Sequence, residues 1–419
     1  MKKHPMHIAM LSIHSSPIGE LGTRDTGGMS VYIRELAREI GERGHRVDIF
    51  SRSPQTGADP VIDLDSNVRL ISLCDGFGGR LKKFEIYPHL VEFFKSFKAY
   101  NDRDGARYDV LHSHYWLSGK FGSRLRVVLN IPHVVTFHTL GAVKNITGVG
   151  DEEPELRITV EKELSRSCDG ILSATTREKE QLVRYYGAAP EKVAVVSCGV
   201  NLRLFRPMAK AVARRQLGFE RKDPIVLYVG RFDPLKGIDR LLAALAYLQH
   251  HARLRLVLIG GDGQKNPETR RLKRLARELG VEKNVTFLGR VAQKSLPPYY
   301  SAADVLAVSS HYESFGLVGL EALACGTPVV ATPVGAMDDV IKEGTNGYIA
   351  VDASPRSIAE GIENVIVNGQ RRSTVDAIRA SVLKYNWSAV SSDVLNTYRN
   401  LCDPLQGGVA APQCSTMSS

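Results

Sequence analysis

Short apolar runs and amphipathic stretches alternate along most of the chain. In the first half Ile8–Ile13, Val47–Phe50, Val110–His112 and Val134–Phe137 are dense in branched and aliphatic residues, and read as strands buried on both faces. Between them, Met29–Glu42 and Pro154–Arg166 place apolar residues at helical spacing, predicting helices with one buried stripe. A second set of strands begins at Ile225–Val229 and continues through Leu254–Ile259, Val285–Leu288, Val305–Val308 and Val329–Ala331. Alternation of this kind is the pattern of parallel sheets wrapped by helices. Two sets therefore predict an α/β protein of two Rossmann-like, doubly wound parallel-sheet domains.

The join between them falls in Ser197–Pro207, where Gly199 and Pro207 interrupt both periodicities. This divides the chain into domains over 1–200 and 201–385, with a helical pattern returning around Ser388–Leu401. Residues 403–419 lack periodic hydrophobicity and predict a disordered tail.

A chain of 419 residues is long for one core and suits two. Its 43% hydrophobic and 24% charged content is that of a soluble globular protein. No apolar run approaches the roughly 20 residues that span a bilayer, and Met1-Lys2-Lys3-His4-Pro5 leads almost directly into the first strand. A cytoplasmic protein is the expectation. Cys74, Cys168, Cys198, Cys325, Cys402 and Cys414 are scattered with no C-x2-C pair, which argues against a zinc site or disulfide framework. The net charge of +10 has two readings: a site for small polyanions, or a surface for acidic lipid or nucleic acid. No nucleic-acid-binding motif accompanies it.

Chemistry concentrates at strand ends. Glu313-Ser314-Phe315-Gly316-Leu317-Val318-Gly319-Leu320-Glu321 carries two carboxylates eight positions apart, with a glycine before an apolar helical run. A glycine there lets backbone N–H groups approach a phosphate at a helix start, while the second carboxylate reaches vicinal ribose hydroxyls. An amphipathic helix with two solvent-facing glutamates is the alternative. Upstream, the strand ending at Val229 runs into a loop with Arg231 and Lys236, five residues apart, which suits a diphosphate. Gly22–Tyr32 is a glycine-rich loop opening a helix, either an anion site or a structural turn. His112-Ser113-His114-Tyr115-Trp116 and Thr136-Phe137-His138-Thr139 end two further strands, where open α/β sheets bind ligands. The His-x-His pair lacks a third ligand, so metal is not favoured. His112 reads as a hydrogen-bonded histidine under the sheet rim. Asp63-Leu64-Asp65 matches a D-x-D metal motif by letters alone.

These segments resemble the retaining GT-B glycosyltransferases of family four. The resemblance implies that Arg231 and Lys236 bind the donor diphosphate and act in catalysis, that Glu313 contacts the donor sugar, and that Glu321 holds the ribose. Gly28 would lie at the diphosphate, with Phe315, Gly316, Leu317 and Val318 alongside, and His138 near the sugar and the reacting oxygens. Ser197–Pro207 would be the hinge, and a helix over about 386–402 would cross back onto the first domain.

Gly27-Gly28-Met29, His112–Gly119 and His138-Thr139-Leu140 with Ala142–Asn145 are most similar to the mycothiol-pathway branch, whose members transfer N-acetylglucosamine from UDP to an inositol phosphate. Sucrose-phosphate synthases share a looser version. In that branch Lys83, Tyr115, Thr139 and Arg157 would hold the acceptor phosphate, with Lys144 assisting. Two cations and two hydroxyls suit a dianionic phosphomonoester, although Lys83 and Arg157 could equally make surface ion pairs. Ser30 stands where the branch has Asn facing the acceptor ring, which makes the inositol assignment weaker than the phosphate assignment.

The resemblance implies retention of configuration, no required metal or other cofactor, a UDP-sugar as substrate, and a homodimer as one assembly. Rival readings are a fructose phosphate acceptor, a non-catalytic sugar-nucleotide sensor, and a membrane lipid such as phosphatidylinositol. The lipid reading would use the basic, phenylalanine-bearing segment Arg80–Lys98 for peripheral membrane contact.

Overall fold

The computed structural model describes residues 4–19, 26–53, 61–76, 79, 81–248, 252–261, 266–372 and 374–403. Expectations for Gly22–Asp25, Arg80 and the tail from 404 onward lie outside them.

The first domain contains β1 (His7–Ser12), β2 (Arg46–Ser53), β3 (Val61–Asp65), β4 (Val68–Cys74), β5 (Val110–His114), β6 (His133–Thr136), β7 (Gly170–Ser173) and β8 (Val193–Val195). They form one sheet in the order β3-β4-β2-β1-β5-β6-β7-β8. The second domain contains β9 (Ile225–Val229), β10 (Arg255–Ile259), β11 (Val285–Gly289), β12 (Val305–Val308), β13 (Val329–Ala331) and β14 (Gly347–Ile349), ordered β11-β10-β9-β12-β13-β14. Every neighbouring pair is parallel except β3 with β4. The two-domain α/β expectation, with GT-B architecture, is what the fold shows.

The departures are at the sheet margins. β3 is an antiparallel edge strand with Val61 and Ile62 largely exposed, so its alternation carries no core signal. Asp63 and Asp65 sit on this edge, Asp65 paired with Arg34 at 3.5 Å. β7, β8 and β14 have only three or four residues, too few for periodicity to register.

Register aligns the chemistry. Ile8 pairs with both Val47 and Val110, and His114 pairs with Thr136. The turns after β1, β5 and β6 therefore share one rim, bringing His14, Tyr115 and His138 together. One apolar cluster runs from Ile33 and Leu36 through Cys198, Val200 and Trp387 to Leu306 and Leu320, so the two domains share a continuous core at their join. Val200 bridges to Asn386, laying the two crossovers side by side. The last helix, Trp387–Cys402, then lies on the first domain: Tyr398 OH is 2.6 Å from His112 Nδ1, and Arg43 donates to Ser392 Oγ at 2.8 Å.

Candidate active site

The facing strand ends enclose a cavity of about 620 Å³. Its second-domain wall is built by two loops pinned to each other. Gly237 has φ +61°, and a Cβ there would stand 2.1 Å from the Ser309 carbonyl oxygen. That contact seats the Arg231–Lys236 loop against the loop following β12. Lys236 Nζ consequently reaches Glu313 Oε1 at 2.5 Å, and Ser310 Oγ donates to the same oxygen at 3.1 Å. Gly316, at φ +97°, turns the chain into the helix Leu317–Ala324, and Phe315, Gly316, Leu317 and Val318 line the cavity. The opening N–H groups of a helix have no intrahelical partner and favour an anion.

Glu321 lies deeper on that helix. It accepts from Tyr300 OH at 2.7 Å and from Gln293 Nε2 at 3.1 Å, and burial pushes its carboxyl up to about 7. Each carboxylate oxygen keeps a further lone pair for an incoming hydroxyl.

The first-domain wall holds the cations. Lys83, Lys144 and Arg157 come from three helices (Lys83–Ile86, Gly141–Ile146 and Glu155–Ser167) and converge on the cavity. Arg157 is fully buried. It donates through Nε to Glu161 Oε1 at 2.6 Å and through Nη2 to Thr139 Oγ1 at 2.9 Å, and its Nη1 lies 2.9 Å from Glu153 Oε2. Lys144 is also paired with Glu153. The Tyr115 ring lies 4.8 Å from the Arg157 guanidinium and 5.6 Å from Lys83 Nζ, a cation–π arrangement on both counts. Burial, reinforced by Arg157 and Lys144, brings the Lys83 ammonium down to about 8, although Glu153 opposes the shift.

The walls meet near Gly28, where an added Cβ would stand 3.5 Å from Leu317 Cδ1. Further contacts hold the domains together: Arg177 Nη1 donates to the Pro333 carbonyl at 2.7 Å and Arg177 also pairs with Asp338, while Leu140 N–H donates to Tyr312 OH at 3.1 Å.

A sequence model described as Glycosyltransferase Family 4 matches residues 26–204, and one described as Glycosyl transferases group 1 matches residues 209–379. D-inositol 3-phosphate glycosyltransferase from Corynebacterium aurimucosum is 37% identical over 402 residues, covering 94% of this chain and 96% of its own. The enzyme of that name from Xylanimonas cellulosilytica is 37% identical over 401 residues, covering 93% and 96%. Sucrose-phosphate synthase from Thermosynechococcus elongatus superposes with a TM-score of 0.86 at 34% identity, over 94% of this chain and 99% of that one. The chain belongs to the family 4, group 1 glycosyltransferases. Anabaena HepE, solved with UDP and glucose, has the same fold at TM-score 0.75 and 20% identity, covering 94% and 100%.

In this glycosyltransferase the cavity is lined by Gly28, Lys83, Tyr115, His138, Thr139, Lys144, Arg157, Arg231, Lys236, Glu313, Phe315, Gly316, Leu317, Val318 and Glu321. Ser30 is the exception. It is 1% exposed, and its hydroxyl lies 2.8 Å from Ser15 Oγ beneath the glycine loop. Ser30 is therefore not among the residues that line the cavity, unlike the other expected site residues.

Arg157 also departs from a surface ion pair, since its partners are themselves buried. The Arg80–Lys98 segment buries Phe93 and Phe97 in the core, and spends Lys95 and Lys98 on Glu92 and Asp102 at the surface. Phe84 and Val91 of the same segment stay exposed. Among the described residues no helix is long and apolar enough to cross a membrane.

Cavity residues that the sequence reading did not name include His14, Glu153 and Tyr312. His14 follows β1 as His138 follows β6, so the strand-end argument could have found it. Glu153 stands four positions before Arg157, so the i,i+4 spacing of opposite charges could have found it.

Proposed function

We propose that this glycosyltransferase moves a sugar from a UDP-sugar, UDP-N-acetylglucosamine in particular, to a phosphorylated polyol such as inositol phosphate, with retention of configuration. The observation that carries the reading is the convergence of Lys83, Lys144, Arg157, Tyr115 and Thr139 on one wall of the cavity whose other wall holds Arg231, Lys236 and Glu313. The relatives named for D-inositol 3-phosphate support the acceptor class.

In this reading the nucleotide sits on the second-domain wall. Glu321 accepts from the ribose hydroxyls, and Arg231, Lys236 and the helix start at Leu317 offset the diphosphate charge. The acceptor hydroxyl attacks the anomeric carbon on the face from which UDP departs. The sugar–phosphate C–O bond breaks as the new C–O bond forms, and the hydroxyl proton passes to the departing phosphate oxygen. Glu313, already bonded by Lys236, orients donor hydroxyls rather than attacking carbon. Preorganised cations at the leaving group stabilise charge as it develops, so the reading needs no divalent ion. Closure of the two domains on the bound substrates would exclude water around the reacting atoms.

The test is UDP release with UDP-N-acetylglucosamine and UDP-glucose, each paired with inositol phosphate, fructose phosphate and the same acceptors without phosphate, in the presence and absence of EDTA. Turnover confined to phosphorylated acceptors and indifferent to EDTA is expected, with retained configuration in the product by NMR. Turnover with fructose phosphate alone would place the chain with its sucrose-phosphate synthase neighbour. Release only on adding acidic-lipid vesicles would overturn the reading.

A further inference from the structure

Behind the cavity wall lies a buried run of side chains that the reaction above leaves without a role. Tyr398 OH, enclosed by the last helix, lies 2.6 Å from His112 Nδ1, and His112 Nε2 lies 2.9 Å from Thr136 Oγ1. Both nitrogens of His112 are committed.

His114, tilted against it at 44° with ring centroids 4.1 Å apart, is different. Its Nδ1 lies 3.0 Å from His138 Nε2, while its Nε2 is enclosed without a partner among the described residues. The ring is wholly buried, and burial holds it and His138 neutral. A neutral imidazole with one bonded and one unbonded nitrogen carries its proton on the bonded one, because an orphaned buried N–H is rarer and costlier than an unused lone pair. His114 therefore donates, and His138 Nε2 accepts. His138 must then hold its proton on Nδ1.

We propose that His114 is a positioning residue that sets the tautomer of His138, so that His138 offers a hydrogen-bond donor, rather than an acceptor, to an oxygen of the molecules in the cavity. The positive φ of His138, +60°, fixes the backbone from which the ring is presented. The inference rests on the reading of the cavity as a glycosyl-transfer site.

Three substitutions separate hydrogen-bond direction from packing. In His114→Asn the amide N–H donates from near the position of Nδ1. His114→Asp only accepts and forces the proton of His138 onto Nε2, and His114→Leu makes no bond. We expect His114→Asn to keep turnover within about threefold. His114→Asp and His114→Leu should lose about tenfold in kcat, the scale of one hydrogen bond, with UDP affinity by calorimetry unchanged within about twofold.

Two-bond 1H–15N spectra of the histidine-labelled full chain, with His138 assigned by its loss in His138→Gln, read the wild-type tautomer directly. An Nδ1–H signature is expected. An Nε2–H signature, or equal turnover in the Asn and Asp variants, would overturn the proposal. Failure of wild type to bind UDP or to turn over any donor–acceptor pair would sink the functional reading instead, while leaving the tautomer measurement standing.

Discussion

In the proposed reading the two walls of the cavity both hold phosphate charge, the donor's on the second-domain wall and the acceptor's on the first, and they are built in opposite ways. On the second-domain wall the residues come from two loops, and Lys236 and Glu313 are each partly open to solvent, with 23% and 14% of their side chains exposed. On the first-domain wall the cations come from three helices, and Arg157 is held at 1% exposure by Glu153 and Glu161. The first arrangement is open to a ligand and cheap to rearrange. The second is neutralised in advance, and its charges are as much part of the fold as of the site. A donor wall can thus be emptied with little damage to the protein, while an acceptor wall cannot.

The largest test of that contrast is on the donor side. Lys236→Ala or Glu313→Ala should lower kcat by about 10²–10³, while circular dichroism and the melting temperature stay close to wild type. Near-normal turnover in either variant would remove these residues from the proposed mechanism. Arg157→Ala should instead cost about 3–5 kcal/mol in denaturant unfolding, since it leaves the buried Glu161 without its cation while Glu153 keeps only Lys144. A loss below about 1 kcal/mol would show that the two walls do not differ as described.

Lys83 sharpens the comparison through pH. Its ammonium is brought down to about 8 by burial and neighbouring cations, so it is charged below that value and neutral above it. Attraction for a phosphorylated acceptor is present at low pH and lost as pH rises through about 8. The kcat/KM for such an acceptor should fall about tenfold across that range, and Lys83→Gln should be low and flat. The smallest effect is expected at Ser30, where Ser30→Ala should change acceptor KM by less than about twofold and remove about 1 kcal/mol of stability with the Ser15 bond. A large KM change there would restore Ser30 to the acceptor site.

The donor wall was more legible than the acceptor wall for a physical reason. Glu313, Gly316 and Glu321 lie within nine residues on one loop and helix, and Arg231 and Lys236 follow a strand that announces itself by its apolar run. Local spacing there is already geometry. The acceptor cations were marked only by family resemblance, and their convergence depends on how three helices pack. The burial of Ser30 against Ser15 was unmarked for the same reason. One helical position decides whether a side chain after the glycines meets the cavity or Ser15, and a sequence match does not report rotation about the helix axis.

Hydrophobic periodicity alone determined two doubly wound domains and the strand ends where chemistry gathers. Burial of both faces of a parallel sheet writes itself into consecutive apolar residues. Tertiary structure alone decided which charges are spent on one another, which wall stands ready for a ligand, and that Tyr398, nearly three hundred residues away in the chain, closes over His112. Those outcomes depend on the distance and dielectric between groups that share no stretch of sequence.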